Sequence, residues 1–286
     1  MSFLLSRGVL QQQINLLSDP MVLVFDTNLS SGTTVTVPLA GTVDCVIDWG
    51  DGNSDSYTTT GNKEHTYSTD GEYTVKISGL LTGFGGNVSR PNLTKCLSFG
   101  DIGLVSLGEA FRGCENLIEV PTLLPSTITS MSFMFFNATN FNQDISSWNV
   151  QNITNMNSMF NGATVFNQNI SSWNVSSVTN MAGVFSGATS FNQNISSWNV
   201  SSVTNMASMF RDTIFNQDIS SWNVSSVTNM STMFLRATGF NQNLSDWITG
   251  VASQPTAFSL DANATFANNA NNLKPFLSDG TTRINT

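Results

Sequence analysis

The sequence predicts a mixed fold, in which a small β-sandwich precedes a repeat solenoid with one short strand and one helical turn per copy of about 25 residues. Short alternating strands between Gly and Asp turns fill residues 21–88, a pattern typical of a sandwich. A tryptophan-containing motif then recurs five times between residues 141 and 250. The 286 residues suffice for one large or two modest domains.

The repeats are the strongest signal in the chain. The segment Phe141-Asn-Gln-Asp-Ile-Ser-Ser-Trp-Asn-Val150 recurs from Phe166, Phe191 and Phe215, with a weaker copy from Phe240. Successive tryptophans of these copies are 25, 25, 24 and 25 residues apart. A tryptophan at a fixed place in every copy is expected to form the core of that copy. The expected core residues are Trp148, Trp173, Trp198, Trp222 and Trp247.

Within one copy the apolar residues follow the spacing of a leucine-rich repeat, with other apolar types substituted. The run is Ile145-x-x-Trp148-x-Val150-x-x-Ile153-x-x-Met156. Alternation predicts a strand at Ser147–Val150 with its apolar side chains inward. The three-residue spacing of Ile153, Met156 and Met159 predicts a helical turn. Because one copy buries too little apolar surface to offset the entropy of ordering it, the copies are expected to stack.

The repeats resemble a family of bacterial surface proteins. Copies of Met-Phe-x-x-Ala-x-x-Phe-Asn-Gln-x-Ile-Ser-x-Trp-x-Val-x-x-Val-Thr-x-Met look like the BspA-type repeat, a divergent leucine-rich repeat. The resemblance covers residues 93–250, and the part from Ala110 to Pro121 is similar to an older form of the same repeat. It implies an extracellular or surface-displayed binding protein.

Residues 21–88 resemble a polycystic-kidney-disease (PKD) domain, which is an immunoglobulin-like sandwich. Three motifs carry the resemblance in order: Ile47-Asp-Trp-Gly-Asp-Gly52, His65-Thr-Tyr67 and Asp70-Gly-Glu-Tyr-Thr-Val75. The resemblance implies a spacer or an adhesive module.

Composition excludes several functional classes. Ten basic residues stand against nineteen acidic ones, for a net charge of −9, and no lysine occurs between Lys95 and Lys274. Clustered cations for nucleic acid or for a polybasic membrane patch are therefore missing. His65 is the single histidine, which argues against a multi-histidine metal site and most His-dependent catalysis. We expect no enzyme and no cofactor, and we expect the three cysteines to be buried thiols.

One turn carries a weak calcium candidate. Asp48, Asp51 and Asp55 lie close together in the sequence, and carboxylate oxygens are the ligands that Ca²⁺ takes. The spacing is not that of an EF-hand loop, and Asp and Gly are common in turns for backbone reasons alone. We therefore favour a structural role for these aspartates in the turn over a calcium site.

The expected strand leaves a polar surface on either side of each tryptophan. Two interpretations remain open: stacked side chains that only keep the sheet soluble, or a neutral hydrogen-bonding face for a glycan or a protein. The candidate binding residues are Ser147, Asn149, Ser172, Asn174, Ser197, Asn199, Ser221 and Asn223.

Both ends of the chain have expected roles. Residues 1–20 form an apolar arm that either folds back or anchors the molecule, whereas residues 251–286 are expected to cap the repeats of 89–250. The anchoring residues are Leu4, Leu5, Val9, Leu16 and Leu17. The capping residues are Phe258, Phe266 and Phe276.

Two non-catalytic functions are compatible with this organisation. The first is a virion or large-assembly component, phage tail- or capsid-associated, which the apolar arm and the absence of a recognisable secretion signal favour. The second is a secreted bacterial surface adhesin, which the repeat resemblance favours. Expected partners are a structural protein of the assembly, further copies of this chain, and a cell-surface glycan or protein. Neither nucleic-acid binding nor membrane insertion is expected.

Overall fold

The computed structural model describes residues 19–259, 262 and 274–284. The N-terminal part of this range contains six strands and one 3-10 turn, Thr27–Leu29, which is the only helical element among the described residues. The strands are β1 Met21–Asp26, β2 Thr34–Asp48, β3 Ser54–Tyr57, β4 Gly61–Thr66, β5 Glu72–Phe84 and β6 Leu93–Ser98. Within the same residues there is no helix of the length and hydropathy that a membrane span requires.

All six strands belong to one antiparallel sheet in the order β3-β2-β5-β1-β6, and β4 pairs with β2 outside this path. The long β2 pairs with three strands: residues 34–39 with β4, residues 39–48 with β5 and residues 45–48 with β3. The register shifts between Ala40 and Val43, and Gly41 stands there with a φ of +69°. A Cβ on Gly41 would collide with Thr82 of β5, so glycine permits the close approach at the bulge.

The prediction of a β-sandwich is wrong. Residues 21–88 contribute to one open sheet, not to two packed sheets. Alternation correctly indicates which face of a strand is buried, but it does not indicate how strands are distributed among sheets. The pattern therefore did not reveal that one 15-residue strand holds β3, β4 and β5 together. The sheet also continues past residue 88, because β6 is its edge strand.

The repeats form a stack of coils that starts on the sheet. Gly83 of β5 makes a parallel bridge to Ser106, and Lys95 of β6 makes another to Glu119. Further single bridges then join each coil to the next one at the same position. The bridged residues are Ser106, Ser130, Asn155, Asn180, Asn205 and Asn229.

The prediction of a helical turn in each copy is also wrong, because the Met-x-x-Met-Phe segments form consecutive tight turns. In one copy Ser158 and Gly162 have φ values of +54° and +72°, which a right-handed helix does not allow. The N–H of Met159 donates to Met156 within the coil at 3.1 Å, whereas the N–H of Ser158 donates to Ala182 of the next coil at 2.7 Å. Three-residue spacing of apolar side chains fits such turns as well as it fits a helix.

The strand expected at Ser147–Val150 is absent. Residues 146 and 147 form a turn, and the bridge of this copy lies farther along at Asn155. Trp148 and Val150 are nevertheless buried while Asn149 between them is exposed. Residues 148–150 thus keep the alternation of buried and exposed side chains without the pairing of a strand, and the leucine-rich-repeat geometry does not apply.

Aromatic rings fill the interior of the stack. The five repeat tryptophans are only 2–4% exposed. Rings of successive coils lie nearly parallel, with centroids 5.9 Å apart for Phe160 and Phe185 and 6.5 Å apart for Trp173 and Trp198. The buried side chains of the sheet and of the coils form one continuous apolar core.

The two ends of the chain are only partly described. Leu4, Leu5, Val9, Leu16, Leu17 and Phe266 lie outside the described residues. Phe258 is fully buried, and its ring meets Phe234 of the preceding coil edge-on at 5.4 Å. Farther along, the backbone N–H of Phe276 donates to the carbonyl of Trp247. Described residues of the 251–286 segment therefore pack on the last repeat.

Candidate functional site

A row of side-chain amides joins the copies at the Phe-Asn-Gln triplet. Oδ1 of Asn167 accepts the backbone N–H of Asn192 at 3.0 Å, and Nε2 of Gln193 donates to the backbone carbonyl of Asn167 at 2.9 Å. The first of these bonds recurs along the stack, and we call its members the amide ladder. They are Asn142, Asn167, Asn192, Asn216 and Asn241. This role was not predicted from the sequence, although the Phe-Asn-Gln triplet is identical in all five copies and was a signal for it.

The candidate serines form a second contact between coils. Oγ of Ser197 donates to the carbonyl of Ser171 in the preceding coil at 2.9 Å. Each equivalent serine is exposed and makes the corresponding bond, and together they form the serine row. Its members are Ser147, Ser172, Ser197 and Ser221. Because each hydroxyl proton is already used, the serine row presents mainly acceptor lone pairs to solvent.

The candidate asparagines are exposed and have one end of the amide fixed. Oδ1 of Asn199 accepts the backbone N–H of Ser201 at 3.2 Å and the hydroxyl of Ser201 at 2.8 Å. In each of the first four copies Oδ1 accepts the backbone N–H two residues later, while Nδ2 donates to no other described residue. We call these residues the donor row. They are Asn149, Asn174, Asn199 and Asn223.

The repeat tryptophans are placed inside, away from this surface. Nε1 of Trp198 donates to the carbonyl of Ile170 in the preceding coil at 3.0 Å, which satisfies the indole proton within the core. The other four tryptophans each donate to a carbonyl 27 or 28 residues earlier in the same way. Their position fits packing and leaves the polar side chains as the groups that a ligand can reach.

The three candidate calcium ligands each have a different partner. Oδ1 of Asp48 accepts the backbone N–H two residues later at 3.0 Å, and Oδ2 of Asp51 lies 2.8 Å from Nε2 of His65. Oδ2 of Asp55 accepts the indole N–H of Trp49 at 2.8 Å. Within the described part of the chain, no group of three acidic, histidine or cysteine side chains is placed to hold a metal ion. The structure thus pairs Asp48 and Asp55 with groups of their own turn and Asp51 with His65 of β4.

His65 belongs to an aromatic cluster on the sheet. Its ring stacks on Trp49 with centroids 4.9 Å apart, and it meets the edge of Tyr67 at 4.7 Å. The hydrogen bond from His65 lowers the pKa of Asp51 to about 2. These contacts account for the Asp-Trp-Gly-Asp-Gly and His-Thr-Tyr motifs as parts of one structural cluster.

The three cysteines are free and buried. Burial raises the pKa of Cys45 to about 11, and it raises the pKa of Cys96 and Cys114 above the usual thiol range. A nucleophilic cysteine needs an accessible thiolate, so none of the three is suited to that role.

Comparison with known proteins assigns the repeats to a family. The family model described as "Mycoplasma protein of unknown function, DUF285" matches residues 105–213 and 169–273, which together span more than half of the chain. No curated protein and no solved structure matches. The match is consistent with a BspA-type surface repeat, and it does not reach the PKD-like motifs of residues 21–88. Through its repeats, the chain belongs to the DUF285 family.

Proposed function

We propose that the protein is a non-catalytic adhesion protein that presents the stack of coils as a binding surface. The observation that supports this function is the donor row, in which four exposed amides repeat at the same place in successive coils. Each amide is held by its own turn, so a ligand need not order it. Preorganised groups of this kind lower the entropic cost of binding.

The chemistry of the surface indicates a neutral ligand rich in hydrogen-bond acceptors. Nδ2 groups supply donors, and the neighbouring serine hydroxyls supply acceptors. A chain with a net charge of −9 repels polyanions, which excludes a nucleic acid as the natural choice. Sugar hydroxyl and ring oxygens meet both requirements. A linear polysaccharide can engage several coils at once and thereby gain avidity without a deep pocket.

We propose two alternative locations for the protein. The BspA-type resemblance favours the surface of a bacterial cell, and the family match is consistent with that repeat. The alternative setting is a virion or another large assembly, with residues 1–20 as the anchor. In either setting the PKD-like segment of 21–88 would act as the spacer that carries the coils outward. Labelling intact cells and purified particles with an antibody against the coils distinguishes the two settings.

The ligand is tested with a triple variant that removes donors but keeps the turns. Asp can accept the same backbone N–H as Asn, so Asn174→Asp, Asn199→Asp and Asn223→Asp preserve the turn and delete Nδ2. Binding to immobilised neutral glucans, mannan and galactan is measured by surface plasmon resonance. One neutral hydrogen bond is worth about 0.5–1.5 kcal/mol, so three losses should weaken binding at least tenfold.

A second triple variant controls for charge. Asn169→Asp, Asn194→Asp and Asn243→Asp add the same three negative charges at a different position of the repeat. Asn169 and Asn194 lie in the same copies as Asn174 and Asn199, and Asn243 lies in the copy after that of Asn223. Asp144 and Asp218 already occupy that position in two copies and cap their turns in the same way. The control should bind as the parent does. The proposed ligand would be contradicted if both variants bound equally weakly, or if the parent bound none of the polysaccharides.

A further inference from the structure

The surface beside the donor row carries two further rows of polar side chains. The first consists of exposed serines whose hydroxyls bond to no other described residue, so each hydroxyl can both donate and accept. They are Ser177, Ser202 and Ser226. The second consists of exposed threonines near the end of the same segments. They are Thr154, Thr179, Thr204 and Thr228. We call the donor row and these two rows together the polar strip.

The threonines of the polar strip are held in place by the neighbouring coil. Oγ1 of Thr179 donates to the backbone carbonyl of Thr154 in the preceding coil at 3.3 Å, and the other three threonines make the equivalent bond. Because its hydroxyl proton is used, each threonine offers a methyl group and acceptor lone pairs. A sugar ring has apolar C–H faces and polar edges, so methyl groups beside free donors suit it.

The coils set the distance between successive groups of the polar strip. Trp173 and Trp198 directly precede two residues of the donor row, and their ring centroids are 6.5 Å apart. At the threonine row, the backbone N–H of Thr179 donates to the carbonyl of Thr154 at 2.9 Å. Chains joined by such bonds lie about 5 Å apart. Equivalent groups of successive coils are therefore between about 5 Å and 6.5 Å apart.

This distance is close to the length of one hexose in an extended chain. In a β-1,4-linked glucan both linking bonds of each ring are equatorial and lie at opposite ends, so the chain is straight and advances by one ring length per sugar. In an α-1,4-linked glucan the axial bond winds the chain into a helix, whose sugars do not follow a straight row. Of these two chains, the straight one can place an equivalent group opposite every coil.

The polar strip also discriminates by charge. No charged residue occurs in the four segments that form it, which are residues 149–154, 174–179, 199–204 and 223–228. A polysaccharide with carboxylate or ammonium groups would have to desolvate these charges without gaining an ion pair. The strip therefore favours an uncharged chain.

We propose that the polar strip binds an extended, neutral β-1,4-linked polysaccharide that runs along the stack with one sugar opposite each coil. This inference rests on the proposed adhesion function and adds the direction, the register and the linkage of the ligand. The amides of the donor row donate to sugar oxygens, the free serines bond to sugar hydroxyls, and the threonine methyl groups contact C–H groups. The donor row has four members, so four sugars in series fill it.

The length of an oligosaccharide tests the register in the unmodified protein. Cello-oligosaccharides and malto-oligosaccharides of two to eight glucose units are titrated by calorimetry. Each added glucose of the cello series should raise the affinity about two- to tenfold until four sugars are bound, and longer chains should gain little more. The malto series should show no such rise. Equal affinities for the two series, or an affinity for the cello series that does not depend on length, would overturn the inference.

The number of copies provides a second measurement. Deletion of residues 175–199 removes one whole copy, joins Asn174 to Val200 within the repeat and leaves three members of the donor row. The rise in affinity should then end at three sugars, and duplication of the same residues should extend it to five. Circular dichroism confirms that both variants are folded. An end point that stays at four sugars in the folded variants would contradict the register.

Point variants locate the ligand without a change in the length of the stack. The triple variant Ser177→Ala, Ser202→Ala, Ser226→Ala removes the free hydroxyls of the polar strip and should weaken the binding of cellotetraose at least tenfold. The control replaces three serines outside the strip whose hydroxyls likewise bond to no other described residue, and it should bind as the parent does. Its changes are Ser171→Ala, Ser190→Ala and Ser196→Ala.

The outcomes separate this inference from the adhesion function on which it rests. Equal binding of cellotetraose by the parent and by the strip variant would overturn the placement of the ligand. If immobilised polysaccharides are retained through the donor row but the cello series shows no dependence on length, only the register and the linkage are wrong. If the parent binds neither oligosaccharides nor immobilised polysaccharides, the adhesion function is wrong as well.

Discussion

Oδ1 of Asn192 accepts the backbone N–H of Asn216 at 2.9 Å, although only 24 residues separate them and the other members of the amide ladder are 25 residues apart. The missing residue falls between Thr213 and Phe215, away from the ladder. There the hydroxyl of Thr213 donates to the carbonyl of Phe210 at 2.7 Å and closes the shortened loop. The contact between coils is thus kept while the loop absorbs the deletion.

Loss of one ladder residue should weaken the stack in proportion to the bonds it makes. Oδ1 of Asn192 receives both the N–H of Asn216 and Nε2 of Gln217. Asn192→Ala leaves these donors without that acceptor and should lower the free energy of unfolding by about 1–3 kcal/mol. Asn192→Asp keeps the acceptor and should cost less. Urea denaturation measures both, and equal losses would show that the acceptor is not what matters.

Truncation of a repeat tryptophan should cost more, because it removes packing and a hydrogen bond together. Trp198→Ala should destabilise the protein by about 3–5 kcal/mol. Trp198→Phe retains a ring in the column but loses the bond to Ile170, and should have a smaller effect. Guanidinium denaturation, followed by circular dichroism, gives both values. Unchanged midpoints for the alanine variant would contradict the core role.

The left-handed positions of the turns predict the effect of replacing glycine. Gly183 has a φ of +62°, and the equivalent positions in neighbouring coils are Ser158 and Ser208, also with positive φ. Gly183→Ala should lower stability by about 1 kcal/mol, because it forces an L side chain into this region. Ser208→Gly relieves the same strain but also removes the hydrogen bond between Oγ of Ser208 and Oγ1 of Thr232 at 2.6 Å, so the two effects should partly cancel and the net change should be smaller. Thermal unfolding gives the change in midpoint for each variant, and an equal or larger loss for Ser208→Gly would contradict the strain at Gly183.

The Asp51–His65 contact predicts a dependence of stability on pH at acidic values. The pKa of Asp51 is lowered to about 2 in the folded state, from an unfolded value near 4. A depressed pKa means that the carboxylate stabilises the fold fully above pH 4 and loses this effect as pH falls towards 2. Asp51→Asn should therefore flatten the stability curve between pH 4 and pH 2. Calorimetry across that range is the measurement, and identical slopes in parent and variant would rule the contact out.

The sequence predicted which residues are buried better than it predicted how the backbone connects them. Trp148, Val150 and Met156 carry the spacing of an apolar interior, and they are buried. Their hydrogen bonding was not predictable from that spacing, because a helix and a series of tight turns both bury every third or fourth side chain. Positive φ at non-glycine residues such as Phe133 has no sequence signature of its own. Such residues are fixed by the neighbouring coils.

The candidate site was predictable to a similar extent. The alternation of apolar and polar residues correctly predicted that Asn199 and Ser197 lie on the surface, although the strand predicted for them is absent. Which amide atom is free depends on whether the turn after Asn199 closes on Oδ1, and that is a property of the folded backbone.

The amide ladder has a consequence for how the molecule can change in length. Each of the four junctions between the five Phe-Asn-Gln copies uses the same donor, the same acceptor and the same stacked rings, so one internal copy can be exchanged for another without a new interface. Duplication or loss of a whole copy would change the height of the stack by about one ring spacing, 6 Å, and leave the first and last coils as they are. Unequal recombination between the near-identical copies is thus a way to vary the reach and the valency of the surface in single steps.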